Sequence, residues 1–330
     1  MRFDKLDLNL LVALDALIEH KSVSIVAKKL YLTQPAISGA LNRLREYFGD
    51  ELFVQCGRQM ILTPKAEELA QPIRQALTFI RSKITTPSQF RPAEAQRNFS
   101  IAASDYALNI LVTDMLIKVS QEAPQVTFTI MSPDRFAFER LERGQVDVMI
   151  TLEKYLLPQH PHMFLLEDDF VVICWSESSY RDGIDAKQFL AARHAVACFG
   201  IDALPAFSES YFSEQGIERR VDVIVPNFSA LPYALIGTER IAIMHRMHAE
   251  YFARFIPISI LPLPYPIPKS LEQAQWHAMR SSDEGIQWIL RVLREQAMQV
   301  AKKLRPESGP LPGSMSMPPV LEMTHSTSLS

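Results

Sequence analysis

The pattern of apolar and polar positions is most informative between positions 22 and 48. Apolar residues recur there at spacings of three and four, which predicts two short helices joined by a tight turn. Thr33 is a favourable N-cap for the second helix, and Pro35 is tolerated in its first turn because the missing N–H needs no partner there. The polar face of that second helix carries Gln34, Ser38, Asn42, Arg43 and Arg45.

This polar face has the chemistry of a DNA-reading surface. A helix fits the major groove, where Gln and Asn can bond to adenine and Arg to guanine. Ser, Thr and Arg are equally suited to phosphate oxygens. An ordinary amphipathic helix pair in a bundle would show a similar face, so the flanking segments have to distinguish the two interpretations.

The flanking segments fit a winged helix-turn-helix. Residues 6–19 have helical spacing and predict a first helix that completes the small core. Residues 52–55 and 60–62 alternate around a turn and predict a two-stranded wing. Arg58 at the tip of that wing would reach a phosphate or the minor groove.

A long helix is predicted to begin at Thr63. Its single apolar stripe has coiled-coil character, which favours pairing with a second copy of the chain. Two recognition helices would then face successive turns of the major groove. Pro72 should bend this helix, and residues 85–92 read as a linker. The residues predicted to form the dimer seam are Leu69, Ile73, Leu77 and Ile80.

From position 98 onward, short strands alternate with helices. Strands are predicted at 99–103, 126–131, 146–150, 171–175, 195–199, 221–225, 241–245, 258–263 and 273–278. Helices are predicted at 106–121, 136–143, 204–215, 230–236 and 281–298. The first part is a βαβαβ unit, which implies a parallel sheet, and the whole predicts two α/β lobes. Ligands of such sheets bind at the carboxyl ends of the strands, here in the cleft between the lobes.

Composition adds modest support. The 330 residues are 48% hydrophobic, enough for two domains, and the net charge is −3. Residues 1–85 nevertheless hold 12 Lys and Arg against 9 Asp and Glu. A basic amino-terminal part on an acidic body suits a DNA-binding head.

Several function classes are disfavoured. The three cysteines, Cys56, Cys174 and Cys198, have neither disulfide-framework nor metal-ligand spacing. The two histidine pairs, His245 with His248 and His160 with His162, have no Cys or carboxylate set at ligand spacing, so we predict no metal site. The chain has no G-x-S-x-G, G-x-G-x-x-G or Walker sequence, so we predict no catalytic residue and no cofactor.

The chain also has neither a signal-peptide pattern at its amino terminus nor about 18 consecutive apolar residues. We therefore expect a cytoplasmic protein without a membrane partner.

With these elements in place, the chain resembles LysR-type transcriptional regulators over about residues 1–300. The most specific match is LTQPAISGALNRLREYFGDELFV followed by LTPKAEELA. The later stretches AASDYALNILV, LERGQVDVMIT, EDDFVVICW and NFSALPYALIGTERIAIMHR are similar to the NodD-like branch. That branch contains flavonoid-responsive nodulation regulators and activators of aromatic and chlorinated-aromatic catabolism.

The resemblance implies an α/β plus α architecture. It consists of a winged helix-turn-helix at residues 1–62, a dimerising linker helix and hinge at 63–92, and a periplasmic-binding-protein-like effector domain at 93–301. Lobe I of that domain would span about 93–165 and 267–301, and lobe II about 166–266. Residues 302–330 are rich in Pro and Ser and are expected to be a disordered tail.

The resemblance also implies site residues. In the DNA-binding domain, the matching positions are Thr33, Gln34, Pro35, Ser38, Asn42 and Arg43, with Arg58 in the wing. In the cleft, the matching positions are Ser104, Asp105, Thr151, Phe199, Gly200, Asn227, Phe228 and His245. Ser104 and Asp105 also fit an N-cap pair without any ligand. Phe136, Phe199 and Phe228 are available to pack on an aromatic ring, although core packing explains isolated aromatics equally well.

The implied function is a regulator that bends promoter DNA as a dimer or tetramer and lets RNA polymerase start when a small aromatic effector binds. We expect an activator of genes that degrade a phenolic or chlorophenolic compound. A flavonoid-responsive activator of nodulation genes is the alternative within the family. A two-lobed binding protein or enzyme, whose amino-terminal helices only dimerise, is the alternative from another class.

Overall fold

The computed structural model describes residues 6–56, 59–83, 90–200 and 202–304. The amino-terminal part contains four helices and two strands. They are α1 (Leu8–His20), α2 (Val23–Lys29), α3 (Gln34–Phe48), β1 (Phe53–Cys56), β2 (Gln59–Leu62) and α4 (Pro64–Lys83).

Local sequence signals set the ends of the two predicted short helices. The Ser22 side chain accepts the N–H of Ile25 at the start of α2, and the Thr33 side chain accepts the N–H of Ala36 at the start of α3. Gly49 ends α3 in the left-handed region, with φ +64°, where glycine is favoured. The predicted helix pair and its Thr33 cap are therefore confirmed.

The three helices share one small core, whose fully buried members are Leu14, Leu17, Val26, Ile37 and Leu44. The predicted wing is an antiparallel pair of β1 and β2, in which Phe53 lies opposite Leu62. The observed strands extend to Cys56 and Gln59, slightly beyond the prediction. Gly57 and Arg58, at the predicted tip, lie outside the described residues.

The long helix α4 begins as predicted, because Thr63 Oγ1 accepts the N–H of Ala66 at 3.2 Å. Thr63 also donates to Asp50, which fixes the end of the wing against the start of α4. The helix continues through Pro72.

The apolar stripe of α4 has a different explanation from the one inferred from the sequence. Ile73 and Leu77 are each only 5% exposed because they pack into the core of the head within the same chain, and Leu69 packs against that core too. Ile80 is half-buried. The argument that this stripe requires a second copy was therefore wrong, and dimerisation through these residues stays a prediction.

The second part of the chain contains eleven strands and eight helices within the described residues. The strands are β3 (Asn98–Ala102), β4 (Thr127–Met131), β5 (Val148–Leu152), β6 (His162–Asp168), β7 (Phe170–Trp175), β8 (Arg193–Phe199), β9 (Leu204–Pro205), β10 (Arg220–Val225), β11 (Arg240–His245), β12 (Ile258–Pro262) and β13 (Ser270–Gln275). The helices are α5 (Asp105–Ala107), α6 (Thr113–Glu122), α7 (Ala137–Glu142), α8 (Ala186–Ala191), α9 (Phe207–Glu214), α10 (Leu231–Leu235), α11 (Arg246–Phe252) and α12 (Glu284–Leu304). A π-helical turn, Leu108–Val112, joins α5 to α6, and short 3-10 turns lie at Pro92–Glu94, Glu153–Tyr155, Phe228–Ala230 and Ala278–Arg280.

These strands form two sheets, one in each lobe. Lobe I has the order β4-β3-β5-β13-β6, in which β3 pairs in parallel with β4 and β5. Lobe II has the order β10-β8-β11-β7-β12, with β9 attached to β8. The predicted βαβαβ unit and the two-lobed α/β fold are confirmed.

Several predicted elements were misplaced or missed. The sequence analysis missed β6, α8 and α11, and because β6 pairs with β13 in lobe I, the sheet of that lobe continues to Asp168, beyond the predicted boundary near 165. Leu204–Pro205 is a short strand rather than the start of a helix. Strand β13 lies three residues before its predicted position, and its register shifts between Glu272 and Gln273.

The carboxyl-terminal helix α12 runs to Leu304, so the predicted disordered tail does not begin at 302. Residues 305–330 of that predicted tail lie outside the described residues. Within the part of the chain that the structure describes, no helix combines the length and the apolar character needed to cross a bilayer.

Ion pairs connect the head to lobe I. The side chain of Arg143, which directly follows α7, is buried and pairs with Glu19 on α1 at 2.9 Å and with Glu139 on α7. Arg74 on α4 lies 3.4 Å from Asp15 on α1 and 3.9 Å from Glu139. Helix α7 is therefore the part of lobe I that contacts the head through charged groups.

Candidate functional site

The first candidate site is the outer face of α3. Thr33, Gln34, Pro35, Ser38, Asn42 and Arg43 are all exposed on it. Ile37, Leu41 and Leu44 on the opposite face are buried in the core of the head. The arrangement presents amide, hydroxyl and guanidinium groups together on one exposed helix, as base and phosphate contacts require.

The two arginines of this helix differ in their contacts. Arg43 is exposed and makes a 3.3 Å ion pair with Asp7, which is itself accessible. Arg45 donates to the backbone carbonyl of Glu51 at 2.9 Å and to that of Phe53 at 3.4 Å, so it supports the base of the wing. Arg43 is thus the better placed of the two to exchange its contact for a phosphate or a base.

The sequence analysis missed Tyr31 in the turn before α3. Its side chain is 95% exposed, and its φ of +55° lies in the left-handed region that a bulky residue rarely adopts. The sequence shows only an aromatic residue in the predicted turn, whereas its exposure and left-handed backbone come from the structure. Its hydroxyl group has the chemistry of a phosphate contact.

The second candidate site is a cavity of about 300 Å³ between the two lobes. Lobe I contributes the carboxyl ends of β3 and β5 and the start of α7, as expected for open α/β sheets. The lobe I lining is Ala102, Ser104, Pro133, Asp134, Ala137, Phe138, Met149, Ile150, Thr151, Leu152, Tyr155 and Glu272. The lobe II lining is Phe199, Leu204, Pro205, Ala206, Phe207, Ser210, Phe228 and His245.

Five of the predicted effector residues meet at this cavity: Ser104, Thr151, Phe199, Phe228 and His245. Phe228 lies between two of the others, because its ring makes edge contacts with Phe199 at 5.2 Å and with His245 at 4.9 Å. Ser104 is also the N-cap of α5, where its hydroxyl accepts the N–H of Ala107. The N-cap and the cavity interpretations of Ser104 are therefore compatible.

The other three predicted effector residues do not line the cavity. Asp105 reaches across to lobe II, where its carboxylate accepts the N–H groups of Phe228 at 3.2 Å and Ser229 at 2.6 Å. Asn227 caps the following 3-10 turn through the N–H of Ala230. Gly200 occupies a turn with φ +68°, which favours glycine. The cleft therefore uses Asp105 to join its two lobes.

Of the three phenylalanines predicted to pack on an aromatic ligand, Phe199 and Phe228 line the cavity and Phe136 does not. Phe136 is largely exposed and lies beside the guanidinium of Arg135, away from the lining. Phe138 and Phe207 line the cavity instead. Phe207 was missed because its segment was predicted to be helical from Leu204, whereas β9 and a short loop bring it to the cleft.

A buried polar cluster closes one wall of the cavity. The ring of His245 stacks on Tyr106, with centroids 3.9 Å apart and an interplanar angle of 7°. Tyr106 donates its hydroxyl to Asp168 at 2.9 Å, and Asp168 also accepts the N–H of Met247 at 3.0 Å. Burial, and to a lesser degree the charge of nearby His248, lowers the pKa of His245 well below its usual value. His245 is therefore a neutral member of the cavity wall.

The sequence analysis also missed Glu272 on β13. Its side chain is buried, lines the cavity, and accepts the Ser270 hydroxyl at 3.2 Å. Burial raises its pKa to about 7, and the charge of Asp168 acts in the same direction. The strand was predicted at 273–278, so Glu272 fell outside it. With the observed bounds, Glu272 is the one acidic residue in an otherwise uncharged strand.

The described lining contains no Lys or Arg. Its acidic members are Asp134, which is paired with Arg140 at 2.5 Å, and Glu272. The remaining lining is largely apolar or aromatic, and its hydroxyl-bearing residues are Ser104, Thr151, Tyr155 and Ser210. Because a buried anion needs a compensating cation, this cavity favours an uncharged ligand.

One group of possible metal ligands, Glu142, His160 and His277, occurs elsewhere in lobe I. Its ligand atoms lie within 4.8 Å of one another. His160 Nδ1 accepts the N–H of Ala278, and His277 Nδ1 accepts that of Met279, which assigns the remaining ring proton to Nε2 in each neutral imidazole. His160 Nε2 lies 3.1 Å from a Glu142 oxygen but makes no hydrogen bond with it. The structure thus brings His160 together with a carboxylate and a second histidine that the sequence spacing did not show. The absence of a metal site stays a prediction.

Two family models match the chain. Residues 8–67 match the model described as bacterial regulatory helix-turn-helix protein, lysR family. Residues 92–298 match the LysR substrate binding domain.

Curated relatives are similar over nearly the whole chain. Nodulation protein D of Azorhizobium caulinodans is 38% identical over 301 residues, which cover 91% of this chain and 96% of the relative. Nodulation protein D 1 of Mesorhizobium japonicum is 37% identical, with the same coverage of 91% and 96%.

Solved structures of regulators share the fold. A probable transcriptional regulator from Pseudomonas aeruginosa aligns with a TM-score of 0.59 at 26% identity, covering 88% of this chain and 97% of that one. Full-length OxyR from Pseudomonas aeruginosa aligns with a TM-score of 0.63 at 14% identity, covering 88% and 94%, and supports the fold alone.

Proposed function

The chain belongs to the LysR family of bacterial transcriptional regulators, and we propose that it activates transcription when an uncharged aromatic ligand fills the cavity between its lobes. It is a ligand-responsive regulator of this family, whose members bind promoter DNA and small-molecule effectors and form oligomers. The observation that supports the ligand class is the lining of the cavity, which combines aromatic walls and four hydroxyl-bearing residues without a described Lys or Arg.

The relatives support a nodulation-type regulator better than the catabolic activator expected from the sequence. Both curated relatives described above, at 38% and 37% identity, carry the name Nodulation protein D. We therefore propose the flavonoid-responsive alternative in place of control over phenol or chlorophenol degradation. A cavity of about 300 Å³ lies at the lower end of ordinary ligand pockets, which run from about 300 to 1,000 Å³, so the ligand should be compact.

We assign the DNA contacts to the exposed face of α3, with Gln34, Ser38 and Asn42 as candidates for base contacts. Arg43 is assigned to a phosphate or a guanine, and Arg58 to a contact from the wing. Arg45 supports the wing through the carbonyls of Glu51 and Phe53, so its contribution to DNA binding is indirect.

The assembly completes the proposal. A dimer would present two copies of α3 to successive major-groove turns, and a tetramer would bend the promoter. Ligand binding in the cleft would change that bend and allow RNA polymerase to start. A two-lobed small-molecule-binding protein or enzyme is disfavoured because both family models and the curated relatives belong to a family of regulators.

A ligand panel tests the effector half of the proposal. Thermal unfolding of the full chain is measured with flavonoids, phenols, chlorophenols and aromatic carboxylates. A ligand that binds only the folded state raises stability by about 2.7 kcal/mol at 100 times its Kd. We expect shifts with flavonoids and none with the carboxylates. Shifts with chlorophenols alone would restore the catabolic alternative.

An Arg43→Ala variant tests the DNA-binding half. Losing one cationic contact should weaken promoter binding at low salt and make affinity less dependent on salt, because one fewer counterion is released. Fluorescence anisotropy over a salt series measures both effects. Arg181→Ala, an exposed arginine of lobe II, is the control. Equal salt slopes for the two variants would remove Arg43 from the DNA contacts.

A further inference from the structure

Glu272 is an unusual member of the cavity wall. It lies in the middle of the lobe I sheet, opposite Leu152 of β5 and Leu166 of β6, and only 4% of it is exposed. Among the described residues, its side chain accepts one hydrogen bond, from the Ser270 hydroxyl to Oε1 at 3.2 Å. The pairing of β13 with β6 shifts register between Glu272 and Gln273. Such bulges often turn a side chain toward a functional site.

No cation compensates this carboxyl group among the described ion pairs. The titratable groups around it are Asp168 from β6, Tyr106 from α5 and His245 from β11, with Asp134 elsewhere on the cavity lining. Asp168 receives three hydrogen bonds, from the Tyr106 hydroxyl and from the backbone of Met247 and Asp169, which favour its charged form. The surroundings therefore disfavour a second negative charge on Glu272.

A ligand in the cavity would disfavour a negative charge on Glu272 further. It would displace water from a carboxyl group that is already buried, and desolvation penalises the charged form. A protonated carboxyl group is a hydrogen-bond donor, whereas a carboxylate is only an acceptor. The polar groups of the ligand that fit such a donor are carbonyl and ether oxygens.

We propose that Glu272 recognises the carbonyl oxygen of an uncharged aromatic ligand by donating a hydrogen bond from its protonated carboxyl group, so that ligand binding takes up a proton from solvent. This inference rests on the proposed function of the cavity as the effector site and names the residue that selects the chemical class of effector. Because Glu272 donates the hydrogen bond in this arrangement, a ligand without any hydroxyl group is still recognised.

The proton linkage has a definite sign. Burial, reinforced by Asp168, raises the pKa of Glu272 to about 7 in the empty cavity, and a bound ligand raises it further. Affinity is then constant at low pH and falls as the pH rises above about 7, by up to about tenfold per pH unit. The net proton uptake per ligand lies between zero and one and is largest between the pKa values of the free and the bound states.

The experiment is calorimetric titration of the full chain with flavone, which has a carbonyl group, no hydroxyl group and no group that ionises near neutral pH. Titrations in two buffers with different ionisation enthalpies report the number of protons taken up. The variants are Glu272→Gln, which keeps an uncharged donor of the same shape, and Glu272→Ala, which keeps none. The matched control is Glu167→Gln on β6, where the carboxylate is exposed and paired with Lys269.

The expected result is proton uptake by the wild-type protein and by Glu167→Gln, with affinity falling above about pH 7. Glu272→Gln should bind flavone with no proton uptake and little dependence on pH. Glu272→Ala should bind at least tenfold more weakly than Glu272→Gln at low pH.

Three outcomes would overturn the inference. Flavone binding without proton uptake, or unchanged uptake in Glu272→Gln, would exclude Glu272 as the donor. Binding of hydroxylated flavonoids but not of flavone would show that the ligand is the donor, and the proposed function would stand without this inference. Failure to bind any aromatic compound of the panel would contradict the proposed function itself.

Discussion

At the scale of single residues, burial decides what the polar side chains of the cleft do. Asp105 is engaged in hydrogen bonds from lobe II, whereas Glu272 lines the cavity with one hydroxyl partner. Burial raises the pKa of Asp168 to about 6, although three hydrogen bonds oppose it. The pKa values of Asp168 and Glu272 therefore both lie near neutral pH, at about 6 and about 7.

This burial predicts a pH-dependent stability. The pKa of Glu272 is about 7 in the folded chain against an ordinary value of 4.5, so the folded state retains a proton that the unfolded state has lost. Proton binding to Glu272 therefore stabilises the folded state. This contribution to the free energy of unfolding is fully present below about pH 4.5, is lost as the pH rises through about 7, and amounts to roughly 3 kcal/mol at most.

Urea denaturation of the unliganded chain at about pH 5 and about pH 8 measures the effect. Glu272→Gln should lose less stability between the two pH values than the wild type, because glutamine does not ionise. Glu167→Gln should behave like the wild type. An equal pH dependence of the unfolding free energy in all three proteins would mean that folding does not raise the pKa of Glu272.

At the scale of elements, α12 is tied to lobe I through one buried acid. Asp283 precedes the helix and accepts the N–H groups of Gly285 and Ile286. Arg97, next to β3, binds both Asp283 oxygens, at 2.7 and 2.9 Å. A Cβ at Gly285 would lie 2.6 Å from Arg97 Nη1, so a larger residue there would force the guanidinium to shift from its ion pair. The ion pair therefore joins the last helix to the first strand of the effector domain.

Removing Arg97 should destabilise the effector domain strongly. Arg97→Met keeps much of the apolar stem but leaves the buried Asp283 carboxylate with Arg280, 3.3 Å away, as its remaining cation. Because removing one partner of a buried ion pair costs about 3–5 kcal/mol and Arg280 offsets part of that cost, we expect a loss of up to about 3 kcal/mol. Chemical denaturation followed by tryptophan fluorescence measures the loss, because Trp288 lies on α12. Arg181→Met, at an exposed position, should change stability by less than about 1 kcal/mol. Similar values for the two variants would contradict this account.

At the scale of the whole molecule, the lobes and the head meet through a few polar contacts. Asp105 holds lobe I to the backbone of Phe228 and Ser229 in lobe II. Helix α7 of lobe I has contacts in two directions. Its residues Ala137 and Phe138 line the cavity, and its Glu139 side chain lies 3.9 Å from Arg74 of the head. One six-residue helix thus separates the cavity from the DNA-binding head.

Weakening the cross-lobe contact should loosen the cleft. Asp105→Asn removes the charge and one acceptor oxygen, and hydrogen bonds to charged groups contribute about 1.5–3 kcal/mol each. Amide hydrogen exchange at Phe228 and Ser229 should accelerate roughly tenfold or more. Asp114→Asn, at an exposed position on α6, is the matched control. Unchanged protection of the two amides in Asp105→Asn would show that other contacts hold the lobes together.

The sequence by itself determined the elements whose causes lie within a few residues. The helix pair around Thr33, the start of α4 at Thr63 and the βαβαβ order of lobe I follow from caps, turns and apolar spacing. The family resemblance also located five residues that meet at the cavity.

Only the tertiary structure decided which surfaces these elements cover. The stripe of α4 contacts the head of its own chain because α1 lies against it, and apolar spacing cannot identify the partner that covers a stripe. Asp105 became a link between lobes and Glu272 a cavity residue through contacts that depend on lobe placement and on a shifted strand register. Such contacts join residues more than a hundred positions apart, and no local pattern encodes them.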